Sequence, residues 1–241
     1  QLPSGIHAAV VITLAALVGG LIALIPALLK VKWKASEVVS SIMMNYVLYY
    51  AGMYVLMYHM KDMASGFNAS YVIPQTAKLP VLIPKTRIHA GLILVIIAIV
   101  VVYLFLYRSK WGYEIRMTGE NKNFAKYSGI KVNRVILTAS LLGGIMACMG
   151  GATEILGMYS RFQWEKPPGY GWDGMLVAIL AKKNPALVPF AAFFLAYLRI
   201  GADVIARTSD VPVEFVQVIQ AIVIMFIAAE MFLAGLKHRA I

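Results

Sequence analysis

Asn45, Glu154, Asp173, Asp203, Gln217, Gln220 and Glu230 are hydrogen-bonding or ionisable residues set within or beside long apolar runs. Such groups are costly in hydrocarbon, so each serves either a polar pathway or a bond between helices. Chemistry of other kinds is not encoded. His, Cys, Asp and Glu do not recur at metal-ligand spacing, no nucleophile has a base beside it, and no Gly-rich phosphate loop with Lys-Ser or Lys-Thr occurs. The residues therefore predict no catalytic site, no metal site and no bound cofactor. The single Cys148 lies in an apolar segment and is expected to pack.

Taken one by one, these residues keep two readings. Asn45, in SIMMNYV, either hydrogen-bonds a solute or joins two helices, and Ser41, one turn earlier, is a candidate for the same pathway. Glu154 lines a pathway or pairs with a group such as Arg161, and Asp203 falls four residues after Arg199, the spacing of a local ion pair. Asp173 precedes a short apolar run and is expected to cap it or to touch solute. Gln217 and Gln220 share a helix face as packing or as lining, and Glu230 answers nearby basic residues. Tyr170 and Trp172 are interfacial aromatics or a gate that stacks on a flat ligand.

The elements that must position these groups are membrane helices. The chain is 61% hydrophobic with a mean hydropathy of +0.76, against roughly 45–50% apolar in a soluble domain. Its apolar runs are continuous rather than alternating, which excludes a barrel and predicts an all-α, polytopic membrane fold. Spans are expected over 6–29, 37–60, 88–107, 135–159, 186–206 and 213–236, with 61–87 a Pro-containing loop. About six full spans result. The run 175–181 is too short to cross and reads as a re-entrant half-helix, interrupted at Lys182-Lys183-Asn184-Pro185. The Gly pairs 143–144 and 150–151 are expected to let helices approach closely. The formal charge of +11 would suit nucleic acid, but its placement between spans argues for membrane sidedness instead. Most of the 22 Lys and Arg fall in segments that alternation assigns to the cytoplasmic side, with the start of this chain outside and its end inside.

The polar stretch 108–134 holds seven basic residues against two acidic ones. Gly119, Glu120 and Asn121 are read as starting a short helix capped by Asn121, and Gly129 as ending it. Phe124, Ala125 and Ser128 share one face, a small apolar knob suited to another protein's groove; the bland alternative is a solvated basic loop.

The sequence GYEIRMTGENKNFAKYSGIKVNR resembles the cytoplasmic coupling loop of bacterial ABC importer permeases of the simple-sugar and nucleoside branch, within the branched-chain amino acid/ribose-type superfamily. EVVSSIMMNYV, PPGYGWDGMLVAILAKKNP, and GAD followed by VPVEFVQVIQ continue the likeness through most of the chain, as one permease domain over 1–241. The resemblance implies a transport subunit rather than an enzyme, in a bacterial cytoplasmic (inner) membrane, with further spans ahead of Gln1. It implies a cytoplasmic ABC ATPase that carries the Mg-ATP, a second permease subunit forming a homo- or heterodimer, and an extracytoplasmic solute-binding lipoprotein. Membrane lipid surrounds it, and no nucleic acid is involved. The implied solute is a nucleoside, with simple sugars or riboflavin as alternatives. An ion-coupled secondary transporter and a membrane scaffold without transport are the competing readings, because broken helices and buried carboxylates also suit the former.

Overall fold

A computed structural model of the chain describes residues 3, 5–63, 66, 68–163, 167–208, 218, 221, 222 and 225. Their regular structure is helical, with two isolated bridge pairs, Lys61–Ser70 and Val81–His89. Five described helices are long and apolar enough to cross a membrane. The sixth expected span, 213–236, lies outside the described residues apart from four positions. The chain has two compact units, Gln1–Pro167 and Pro168–Ile241.

The first unit is built on the pair α1 (Ile6–Trp33) and α6 (Val132–Met158). Small residues explain their closeness. Ala16, Gly19, Gly20 and Ala27 are buried along α1, and without large side chains the backbones approach and gain dispersion contacts. A Cβ on Gly19 would lie 2.2 Å from Cys148 Sγ, and one on Gly144 would lie 2.4 Å from Ala23 Cβ. Cys148 thus packs, as expected. Gly143, Gly150 and Gly151 have open space where a Cβ would sit, so of the two Gly pairs only Gly144 mediates the approach.

α2 (Glu37–Val55) begins after Lys34, which caps α1 in the left-handed conformation, and continues through a widened π turn, Leu56–Met60. It buries no residue. Tyr46, Tyr50, Tyr54 and Tyr58 recur every four residues along it, and all are exposed.

The segment after α2 is more ordered than a Pro-containing loop predicts. Its backbone N–H groups at Ser70, Ile73 and Leu79 donate to the carbonyls of Phe162, Ser160 and Leu156 at 2.9–3.1 Å. His7 Nδ1 meets Thr76 Oγ1 at 2.9 Å, and Asp62 pairs with Arg161 at 2.6 Å. Ala77 packs with Ala8, Ile12 and Leu156 in one apolar cluster. The segment is therefore a clasp across the ends of α1 and α6. Satisfying its backbone on neighbouring chain is what lets it lie flat there.

α3 (Gly91–Arg108) leads to α4 (Lys110–Glu120) and α5 (Lys122–Tyr127) before α6. In the second unit, α7 (Tyr170–Leu180) turns at Lys182 and Lys183, both at positive φ, through a short 3-10 turn (Pro185–Leu187) into α8 (Val188–Thr208). A short apolar helix, a break and a resumed helix thus follow one another where the sequence reads an interrupted run.

Candidate functional site

The polar connection between α3 and α6 is folded throughout. Ser109 Oγ accepts from the Gly112 N–H at 3.0 Å and donates to the Phe105 carbonyl at 2.7 Å, making a sharp corner. Gly112 permits it, since a Cβ there would lie 2.1 Å from the Phe105 carbonyl oxygen. Arg116 lies over the Tyr107 ring, 4.7 Å from its centre, and ties α4 back to α3.

α4 absorbs Gly119 and Glu120, which the sequence reading placed at the start of the short helix; they end a preceding one instead. The Ser109 cap starts α4, and the inward positions Gly112, Ile115 and Thr118, three apart, carry it past the polar residues that suggested a loop. Asn121 keeps its expected role. Its Oδ1 accepts from the N–H groups of Asn123 and Phe124, both at 3.0 Å. At the far end the Ile130 N–H donates to Ala125 O and the Gly129 N–H to Lys126 O, with Gly129 at φ 80. This double bond pattern with glycine in the left-handed position stops the helix after Tyr127. Ser128 follows as an exposed cap residue.

The expected knob is differently composed. Ala125 has 0% exposure and faces its own chain, whereas Phe124 is 53% and Tyr127 92% exposed. The outward apolar pair is thus Phe124 with Tyr127, and Ala125 anchors the helix. A helix of six residues has room for one inward position, which the smallest side chain fills.

Of the pathway candidates in the first unit, Ser41 and Asn45 are exposed and one turn apart on α2, and Glu154 is half-buried on α6. Arg161 pairs with Asp62. In the second unit Tyr170 and Trp172 are exposed on the first turn of α7. Asp173 does not cap that helix. Gly169, at φ 79, holds the N-cap position, and Asp173 lies too far into the helix to reach the free amides. Its carboxylate instead pairs with Arg199 of α8. The side chain of Asp203, the partner first assigned to Arg199, lies outside the described residues, as do Gln217, Gln220 and Glu230. The exposed tyrosines of α2, spaced by four, form a separate stripe on that helix, turned away from Ser41 and Asn45.

Comparison with known proteins agrees with this architecture. A family model described as branched-chain amino acid transport system / permease component matches residues 2–228. The guanosine ABC transporter permease protein of Bacillus subtilis is 32% identical, over 94% of this chain and 66% of its own length. The glucose ABC transporter permease protein of Haloferax volcanii is also 32% identical, over 86% and 57% respectively. The nucleoside ABC transporter permease protein of Lactococcus lactis subsp. cremoris is 28% identical, over 92% and 63%. The chain therefore spans less than two thirds of the length of these relatives. No solved structure matches it. With apolar helices of spanning length and a family match along nearly its whole length, the chain is a multi-pass membrane protein that belongs to the branched-chain amino acid transport system / permease component family.

Proposed function

We propose that the chain is the membrane-spanning permease subunit of an ATP-driven ABC importer for a small polar solute, in first place a nucleoside. The relatives named for guanosine and nucleosides support that solute, and the one named for glucose keeps simple sugars as the alternative. Its partners on this reading are a cytoplasmic ABC ATPase, which binds the Mg-ATP, a second permease subunit and an extracytoplasmic solute-binding protein. The basic end of the first unit faces the cytoplasm. In the first unit, Ser41 and Asn45 on α2 and Glu154 on α6 line the solute's route.

The observation that carries this reading is α5. It is capped at both ends, anchored through Ala125, and presents Phe124 and Tyr127 outward among basic residues. A short rigid helix of this kind transmits displacement of a bound motor to the helices beside it. Phe124→Arg keeps helix propensity while removing the apolar contact. It is expected to weaken ATPase co-purification about 30-fold, the scale of losing one interface anchor, and to abolish solute-stimulated ATP hydrolysis while the permease still inserts. Lys122→Gln is expected to change little. Uptake that persists without any ATPase would assign the chain to ion-coupled transport instead.

A further inference from the structure

We infer that the pocket enclosed by α4, the end of α5 and the start of α6 seats the phosphate-bearing headgroup of an anionic phospholipid. The cavity measures about 570 Å³ and is lined by Lys110, Lys131 and Arg134 with the single acid Glu114, so the charge facing it is net positive. None of the three cations forms an ion pair among the described residues. Neighbouring like charges raise one another's energy, and a phosphate with several ionised acceptor oxygens relieves that for all three. The Arg134 guanidinium adds a planar fork that matches two of those oxygens. Half-buried Glu114 supplies an acceptor for hydroxyls carried on the same headgroup, as in a glycerol ester.

Position selects a lipid. Gly112 presses the start of α4 against Phe105 and Leu106, in the last turn of a span. The pocket is therefore level with the end of a membrane helix. Trp111 and Tyr113, exposed at 64% and 51%, line it, and these residue types concentrate at headgroup depth. Basic pockets at such depth are suited to anionic headgroups.

The full chain, purified in detergent with an equimolar mixture of phosphatidylglycerol and phosphatidylcholine, is examined by native mass spectrometry. Retained phosphatidylglycerol is expected to exceed phosphatidylcholine. Lys131→Gln with Arg134→Gln is expected to lower that preference by about fivefold per cation removed. Lys110→Gln, at an exposed position, provides a second pocket variant if the double one fails to fold. Lys122→Gln with Lys126→Gln, outside the pocket lining, is expected to keep the preference. Equal retention of the two lipids, or a preference that survives in the pocket variants, overturns the inference. Millimolar inorganic phosphate separates the sources. A headgroup site keeps its lipid, whereas release of the lipid assigns the pocket to free phosphate and overturns the lipid reading.

Discussion

At the residue scale, the close crossing of α1 and α6 rests on a few absent side chains. A Cβ at Gly144 would lie 2.4 Å from Ala23 Cβ and 2.5 Å from the Gly19 carbonyl oxygen. Backbone cannot yield as the tip of a long side chain does, so the helices must separate. Gly144→Ala is expected to destabilise the folded state by about 1–3 kcal/mol, the usual cost of overpacking. Gly143→Ala, one residue away and with nothing within 4 Å, is expected to be neutral or slightly stabilising through better helix propensity. Thermal unfolding of the two variants in detergent distinguishes them, and equal stability would show that the crossing tolerates a methyl group. The same reasoning makes Ala125 unsuited to reporting on a docking partner. Because it is buried, a charged substitution there disturbs the chain itself before any interface.

At the scale of elements, α7 and α8 form a short hairpin in which Asp173 pairs with Arg199. Each charge alone is unfavourable beside hydrocarbon, so removing one leaves the other uncompensated. Asp173→Leu and Arg199→Leu are each expected to lower the yield of folded protein, and the exchange Asp173→Arg with Arg199→Asp to recover part of it. Additive losses in the exchange variant would show that the contact contributes nothing. Arg199 is 47% exposed at its side chain, which keeps the expected recovery partial. This pair also shows where sequence reading stops. The spans 6–29, 37–60, 88–107 and 135–159 were legible because a membrane helix is a long run of one kind of residue. Asn121 and Gly129 were legible because caps are local chemistry. The partners of Asp173 and Arg161 were not, since each lies in another segment and spacing along one helix cannot name it. α4 was missed for a related reason: its charged residues obscure a buried stripe at Gly112 and Thr118, and its fixed points, Ser109 and Gly112, act on the preceding helix.

For the whole molecule, the proposed orientation rests on charge and would put the clasp and the α4–α5 corner on opposite sides of the membrane. With Cys148 replaced by Ala, a cysteine at exposed Thr86 is expected to react with an impermeant thiol reagent added to intact cells. One at exposed Ser128 is expected to react only after lysis. The reverse pattern would invert the proposed topology and remove α5 from the reach of a cytoplasmic ATPase. The clasp has a mechanical consequence. Its backbone bonds, the His7–Thr76 contact and the Asp62–Arg161 pair join α1 and α6 at one end only, far from α5. A helix of 28 residues is about 42 Å long. With the clasped end held, each degree of tilt about the clasp would sweep the opposite tip of α1 through about 0.7 Å. A push of a few ångströms on the short helix at that tip then corresponds to a swing of only a few degrees about the clasp, with Pro26 the point where α1 can bend.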